Sequence, residues 1–233
     1  MSLSIILLAY EEAENLKLML PKLNEIASKM IDEYEILVID SAVPLDNTSE
    51  VCKLNNATYI PQEEPKYGGA FRTGINYASK EIILVLDADF SHNPEDIPRL
   101  YKKFQQGYDL VIGSRYTKGG ISNDSKTSYI MSKLLNTVMR IVVGVKAKDI
   151  STSFRIYNAK LLKSITLTRV NYEILQEVIF EMKQKKSSLT IAEVPITFNK
   201  RLHGETKRDL FNFIKCYMIE IVILIKMRLK RKK

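Results

Sequence analysis

The chain has 233 residues, 45% of them apolar and 27% charged, a composition typical of a globular protein and not of a disordered one. Its formal net charge is +8, and six of the eight residues at 226–233 are Lys or Arg. A basic tail differs from the extended basic stripe of nucleic-acid-binding proteins, so no nucleic acid partner is expected. Cys52 and Cys216 lie far apart, which argues against a disulfide scaffold and suits a reducing compartment.

The amino-terminal segment leads straight into an apolar run at residues 3–9, and no basic stretch precedes it. No signal peptide is therefore expected. No run reaches about 18 uncharged apolar residues, so no transmembrane helix is predicted. These features favour a protein of the cytoplasm.

In the first half of the chain, predicted strands alternate with predicted helices. Short apolar runs predict strands at residues 3–9, 35–39, 58–60, 82–86 and 109–113. Apolar positions three and four apart, and Pro94 in a first helical turn, predict helices at residues 12–30, 69–78 and 94–105. This alternation indicates an α/β fold with a mostly parallel central sheet, helices on both faces, and ligands at the carboxyl ends of the strands.

The second half is less regular. A polar loop is predicted at residues 118–128, helices at 129–143 and 172–185, and a short extended segment at 154–157. A strand at residues 188–198 contains Pro195, which indicates an edge or bulge position. A long helix at residues 206–228 ends the pattern.

Two carboxylates, Asp87 and Asp89, follow the buried strand predicted at residues 82–86. Mg²⁺ prefers oxygen ligands and often binds one or two carboxylates together with substrate phosphates. The pair is therefore a candidate site for Mg²⁺ or Mn²⁺, which would stabilise a leaving diphosphate. The alternative is an exposed turn in which aspartate caps the next helix.

Polar residues also follow the other predicted strands. Asp40 could accept hydrogen bonds from a nucleobase, Tyr10 could contact the base, and Glu12 a ribose hydroxyl. Each has a structural alternative, because Asp caps helices and Glu in a first turn complements the helix dipole. Gly68 and Gly69 enter a helix whose amino terminus could face a phosphate, a weak indication on its own.

Three arginines are candidates for gripping phosphate oxygens, which a guanidinium group does with two parallel hydrogen bonds. Arg115 follows a strand, Arg155 belongs to Ser153-Phe154-Arg155, and Arg201 lies in a basic loop. An isolated arginine is more often a surface salt-bridge partner. His92 and His203 are interpreted as loop residues.

Together these residues resemble the dolichol-phosphate mannose synthase group of the family 2 glycosyltransferases, which have the GT-A fold. The resemblance covers residues 3–207. Its most specific stretches are LDADFSHNP at 86–94, IGSRY at 112–116, SFRIY at 153–157, and EVPITF at 193–198 followed by Arg201, Gly204 and Lys207.

The resemblance implies roles for individual residues. Nucleotide binding falls to Ala9, Tyr10, Glu12, Asp40, Gly68, Arg72, Asp87, Ala88 and Lys207. The ligands of Mg²⁺ or Mn²⁺ would be Asp87, Asp89 and Ser91, and the acceptor site would comprise Arg115, Lys126, Ser132 and Arg155. The expected catalytic residues are Asp89, Arg115 and Arg201. Departures from the usual pattern at residues 8–12 and 40–48 leave both GDP and UDP open.

The implied reaction transfers a sugar, with mannose or glucose as first candidates, from a nucleotide-diphosphate donor to a polyprenyl or dolichyl phosphate with inversion. An anionic phosphate is already a nucleophile, so it needs positioning and no general base. One alternative is transfer to a saccharide hydroxyl in cell-surface polysaccharide synthesis, with Glu177 as candidate base. The second is a non-catalytic nucleotide-binding subunit.

The terminal helix is apolar around most of its circumference, and the basic tail after it would be attracted to anionic headgroups. We therefore predict a GT-A catalytic domain at residues 1–206 and a helix with a basic tail at residues 207–233. The expected location is peripheral, on the cytoplasmic face of a membrane. The alternative partners are a second copy of the chain and a small membrane subunit.

Overall fold

The computed structural model describes residues 1–203 and 210–230, and its centre is a seven-stranded sheet. The strands in chain order are β1 (Leu3–Leu8), β2 (Tyr34–Asp40), β3 (Thr58–Pro61), β4 (Ile82–Asp87), β5 (Leu110–Ser114), β6 (Ile121–Ser122), β7 (Arg155–Asn158), β8 (Ile191–Pro195) and β9 (Thr197–Phe198). The helices are α1 (Ala13–Met30), α2 (Thr48–Leu54), α3 (Lys66–Tyr77), α4 (Ile97–Phe104), α5 (Lys126–Val143), α6 (Ala159–Lys163), α7 (Ile174–Lys185) and α8 (Leu210–Lys230).

The large sheet has the order β3-β2-β1-β4-β7-β5-β8, and β6 pairs with β9 in a small second sheet. All pairings in the large sheet are parallel except those of β7, which runs antiparallel to both β4 and β5. Leu8 pairs with Ile39 on one side and Asp87 on the other, so three parallel strands end side by side. The segments that follow them therefore meet at one edge.

Helices cover both faces of the sheet, as predicted. Along β1, Ile5 and Leu7 face the core beneath α1, α2 and α4, whereas Ile6 and Leu8 face the core beneath α3 and α7. Strands buried on both faces read as continuous apolar runs, which explains why they were visible in the sequence.

The structure corrects several element boundaries. Helix α5 begins at Lys126, inside the predicted loop, because Ser125 Oγ accepts from the main-chain N–H of Ser128 and caps the helix. The strand predicted at 188–198 is two strands in different sheets, and β8 does lie at a sheet edge, as Pro195 indicated. Helices α2 and α6 have seven and five residues, too few to show a helical period.

The carboxyl-terminal helix packs against the body of the protein. Tyr217 and Leu224 are buried in the core beneath α7, and Gln176 Nε2 donates to Tyr217 Oη over 2.8 Å. Glu220, also buried, pairs with Arg169. The predicted helix start at 206 and the end of the basic tail lie outside the described residues, and the division at residue 206 stays a prediction.

Asp46 connects the starts of two helices. Its carboxylate accepts from the main-chain N–H of Ala13, at the start of α1, over 2.9 Å and from that of Thr48, at the start of α2, over 3.0 Å. These hydrogen bonds outweigh partial burial and lower the pKa of Asp46. The loop at residues 41–47 is thereby fixed to α1.

We expect Asp46→Ala to lower the free energy of unfolding by about 1–3 kcal/mol, because the loss of a single cap typically costs ~0.5–2 kcal/mol. Urea denaturation at neutral pH measures the change. Glu50→Ala is the matched control, since Glu50 lies in the first turn of α2 and does not cap it. Equal stability of the two variants would contradict the double cap.

Candidate active site

The carboxyl ends of β1 and β4 open into a cleft of about 390 Å³. The segment after β1, the start of α3 and the turn after β4 form its walls. Its lining residues are Leu8, Ala9, Tyr10, Glu12, Gln62, Lys66, Tyr67, Ala70, Asp87, Ala88, Asp89, Tyr172 and Arg201. Seven of the predicted site residues are among them: Ala9, Tyr10, Glu12, Asp87, Ala88, Asp89 and Arg201.

The turn that carries the two carboxylates is strained. Phe90 has a φ of 61°, in the left-handed region that a bulky side chain rarely adopts. Asp89 stabilises the turn, because its Oδ1 accepts from the main-chain N–H of Ser91 over 2.9 Å. Glu11 and Lys66, at the other walls of the cleft, also have positive φ. Strained backbone is thus concentrated around the cleft.

Asp87 lies deep in the cleft but keeps 31% of its side-chain surface exposed. Burial and the neighbouring Asp89 raise the pKa of Asp87 to about 7. Both effects disfavour the ionised form, and a bound cation would reverse them. The pair therefore fits a divalent ion. In residues 1–203 and 210–230 no group of three or more acidic, His or Cys side chains could hold one, so a ligand's oxygens would complete the coordination.

Arg201 bridges the two acidic walls of the cleft. Its Nη2 lies 2.9 Å from Asp89 Oδ2, and its Nη1 lies 3.3 Å from Glu12 Oε1. The next residue, Leu202, donates its main-chain N–H to the carbonyl of Asp89 over 3.1 Å. Arg201 thus brings a positive charge to the carboxylates, and both ion pairs must break if a cation and a nucleotide take its place.

Asp40 lies behind the cleft and does not line it. It is 1% exposed, and neither carboxylate oxygen has a hydrogen-bond partner in the described part of the chain. Burial raises the pKa of Asp40. Interactions with the main chain of Ser41 and with Tyr59 offset part of this rise, and the contact of Asp40 with a base stays a prediction.

Four residues singled out from the sequence have other roles. Arg155 is fully buried and donates to the carbonyls of Leu175 and Ile150, so it does not face an acceptor. Arg72 pairs with Glu64 and donates to the carbonyl of Arg169, outside the cleft. Sequence spacing did not reveal these internal contacts, and the binding roles expected of Arg155 and Arg72 stay predictions.

Gly68 and Glu177 are likewise used inside the protein. A Cβ on Gly68 would lie 2.2 Å from the carbonyl oxygen of Arg169, so glycine is needed for close packing of the backbone. Glu177 accepts from the main-chain N–H groups of Thr168 and Arg169 and from the hydroxyl of Thr168. Neither residue lines the cleft, so Glu177 is not placed as a general base.

The other predicted acceptor residues lie after β5 and on α5. Arg115 follows β5 and is 8% exposed, Lys126 begins α5 and is exposed, and Ser132 lies six residues further along α5. Ser91 is buried and contributes its main-chain N–H to Asp89; a metal-ligand role for its hydroxyl stays a prediction. Lys207 lies outside the described residues.

His92, interpreted from the sequence as a loop residue close to the carboxylate pair, is buried, with 1% of its surface exposed. Its Nδ1 accepts from the main-chain N–H of Asp87 over 3.5 Å, and its Nε2 lies 3.2 Å from Thr152 Oγ1. Burial lowers the pKa of His92 to about 4, so the ring is neutral and supports the turn that carries Asp87 and Asp89. Its position three residues after Asp89 was the available clue.

Sequence reasoning missed two tyrosines. Tyr67 and Tyr172 stack with ring centroids 4.4 Å apart, and both line the cleft. Tyr67 Oη lies 3.5 Å from Asp87 Oδ1. Tyrosines far apart in the chain give no motif, so only the fold brings them together.

The fold is GT-A. Glucosyl-3-phosphoglycerate synthase from Mycobacterium tuberculosis, solved with Mn²⁺, UDP and glucosyl-3-phosphoglycerate, superposes with a TM-score of 0.72 at 16% identity, covering 97% of this chain and 79% of that chain. Residues 4–166 match the family model described as Glycosyl transferase family 2, and the chain belongs to this family.

Two curated relatives extend the comparison. An undecaprenyl-phosphate mannosyltransferase of Micrococcus luteus is 32% identical over 211 residues, 85% of this chain and 84% of that protein. A dolichol-phosphate mannosyltransferase of Pyrococcus furiosus is 30% identical over 227 residues, 92% of this chain. The chain spans only 62% of the length of the Pyrococcus protein.

We expect Arg201→Met to strengthen Mn²⁺ binding about fivefold when no nucleotide is present, because the cation no longer competes with a guanidinium ion pair of ~1 kcal/mol. Titration followed by electron paramagnetic resonance measures free Mn²⁺. Arg72→Met is the matched control, since it breaks an arginine–glutamate pair outside the cleft. Unchanged or weaker Mn²⁺ binding in Arg201→Met would refute the competition.

Proposed function

We propose that the protein transfers a hexose, mannose or glucose first, from a GDP- or UDP-linked donor to a polyprenyl phosphate, with inversion at the sugar carbon. The observation that carries the proposal is the carboxylate pair Asp87 and Asp89 at the strand ends. Arg201 forms an ion pair with Asp89 and so supplies a positive charge at this position. The two relatives are an undecaprenyl-phosphate and a dolichol-phosphate mannosyltransferase, which supports a polyprenyl phosphate as the acceptor class.

Asp87 and Asp89 would hold Mg²⁺ or Mn²⁺, which when bound stabilises the charge that develops on the leaving nucleoside diphosphate. The chain's own residues supply the rest. Arg201, displaced from Asp89, lies near enough to the cleft to bind diphosphate oxygens. Release of Arg201 also frees Glu12, which is the candidate for a ribose hydroxyl.

The acceptor side favours a phosphate over a hydroxyl. A hydroxyl acceptor requires a general base within reach, and the candidate Glu177 is occupied by Thr168 and Arg169. A phosphate monoester needs only a cation to orient it. Arg115, which packs against Phe198 as His92 does, is the candidate for that cation. A non-catalytic subunit would have no need of the strained carboxylate turn.

A lipid acceptor requires contact with a membrane surface, and two helices offer one. Helices α5 and α8 contact each other through Arg228, whose guanidinium donates to the carbonyl of Ile141 over 3.1 Å. Both expose apolar side chains. These are Ile130, Met131, Leu134, Val138 and Ile141 on α5, and Met218, Ile219, Val222, Ile225 and Leu229 on α8.

We call these ten side chains the apolar face. No helix among the described residues is both long and apolar enough to cross a bilayer. Lys126 and Lys133 on α5 add positive charge beside the apolar face. We infer peripheral binding of this face to anionic lipids, with the cytoplasmic leaflet as the expected side.

We expect Asp89→Asn to lower turnover by about 10²-fold or more, because one oxygen ligand and one negative charge are lost where charge develops. The assay follows nucleoside diphosphate release from GDP-mannose and UDP-glucose with Mn²⁺ and a polyprenyl phosphate. Asp32→Asn, an exposed carboxylate between α1 and β2, is the control. Unchanged turnover in a folded Asp89→Asn variant would remove the proposed role of the pair.

We expect Leu134→Ser with Ile141→Ser to weaken binding to phosphatidylglycerol vesicles about tenfold, because two apolar side chains no longer leave water. Sedimentation with vesicles measures bound protein. Leu54→Ser is the control, since Leu54 is 83% exposed on α2, at the opposite face of the sheet. Equal binding of all three proteins would place the membrane contact elsewhere.

A further inference from the structure

Asp149 holds the guanidinium group of Arg115 with two parallel hydrogen bonds. Arg115 Nε donates to Asp149 Oδ2 and Nη2 donates to Oδ1, each over 2.8 Å, and the main-chain N–H of Arg115 donates to Oδ2 over 3.0 Å. Nη2 also donates to Ser151 Oγ over 3.0 Å. The pairing with Arg115 outweighs burial and keeps the pKa of Asp149 below its ordinary value.

Only one nitrogen of this guanidinium remains available. Nη1 bonds to none of the described residues, and it is not one of the buried polar atoms left without a partner. The rings of Tyr116 and Phe198 each lie with their centroids 5.0 Å from Arg115 Cζ, so they restrict the guanidinium further. Arg115 is thus a rigid group that presents a single N–H₂ edge.

Asp149 is itself fixed by its neighbours. It is fully buried, and its main-chain N–H donates to Glu193 Oε1 over 3.1 Å. Asn136 on α5 donates to Ser151 Oγ over 2.8 Å and accepts from the main-chain N–H of Ile150. A chain of buried hydrogen bonds therefore runs from α5, which carries part of the apolar face, to Arg115.

Stability alone does not account for this arrangement. A buried ion pair often contributes little net stability, because removing both charges from water costs about as much as their attraction returns. A bidentate pair with one free edge instead gives an arginine a fixed direction. Phe198 packs against both Arg115 and His92, so Arg115 lies close to the residues that support the turn carrying Asp87 and Asp89.

We propose that Asp149 is a positioning residue, which orients Arg115 so that Nη1 binds the phosphate of the acceptor. The inference rests on the proposed function for the identity of the acceptor. It makes Asp149 necessary for acceptor binding although Asp149 is buried and never touches the phosphate.

The first test is a kinetic cycle with GDP-mannose or UDP-glucose as donor and geranyl phosphate as soluble acceptor. Asp149→Asn should raise the acceptor KM about tenfold and leave the donor KM within about twofold. In an Arg115→Gln background the same change should alter the acceptor KM by less than about twofold, because Asp149 then has nothing to orient. An unchanged acceptor KM in Asp149→Asn, or equal effects in both backgrounds, overturns the proposal.

A matched control separates positioning from general damage. Asp109→Asn breaks the pair with Lys186 at the other end of β5 and should change stability but not the acceptor KM. If Asp149→Asn does not fold, Ser151→Ala removes the Nη2 contact together with the Ser151 contacts to Asn136 and Asp149, leaves the Arg115–Asp149 pair in place, and should raise the acceptor KM about threefold. No change in Ser151→Ala would then count against the proposal.

The second test does not need turnover. In arginine-¹⁵N-labelled protein, the Nε–H signal of Arg115, assigned by its loss in Arg115→Gln, should shift with geranyl phosphate and not at equal concentrations of inorganic phosphate. The shift should vanish in Asp149→Asn. A lost shift together with an inactive wild type would support positioning and refute the proposed transfer. A shift that persists in Asp149→Asn overturns the positioning role.

Discussion

The arrangement of the cleft follows from the repulsion between carboxylates that the sheet brings together. Parallel strands end side by side, so Glu12, Asp87 and Asp89 meet where little water remains to screen them. Arg201 offsets part of this charge by pairing with Glu12 and Asp89, whereas Asp87 keeps a raised pKa. A divalent ion bound with a diphosphate could replace Arg201 at the carboxylates. The ion would neutralise the carboxylates, and the diphosphate would offer negative oxygens to the released guanidinium group of Arg201.

Sequence predicted the part of this arrangement that depends on local pattern. Buried strands are continuous apolar runs, so their ends, and with them Asp87 and Asp89, could be placed before the fold was known. The burial of a charged side chain leaves no comparable pattern in the sequence. Arg155 and Arg72 have the same chemistry as Arg201, yet only Arg201 faces the cleft, because internal carbonyls satisfy the other two. Asp149 stands in no motif used for the prediction, and only its contact with Arg115 reveals it.

The two halves of the proposed site differ in their electrostatics. At the proposed donor side, the charged groups are partly exposed and their ion pairs can exchange partners. At the proposed acceptor side, Arg115 and Asp149 are buried and form a bidentate pair. Neutral His92 lies between them, in contact with Asp87 and packed against Phe198, so the two sides are separated without an added charge.

The reversed direction of β7 has a consequence for variation of the site. Because β7 runs against β4 and β5, the residues just before it, 149–154, emerge at the same edge as the ends of those strands. This one connector supplies Asp149 to Arg115 and Thr152 to His92. An insertion or deletion in this connector would displace the contacts to Arg115 and to His92 at the same time. Exchanging acceptor preference between relatives should therefore require transplanting the connector whole, together with its partners, and stepwise replacement should pass through inactive intermediates.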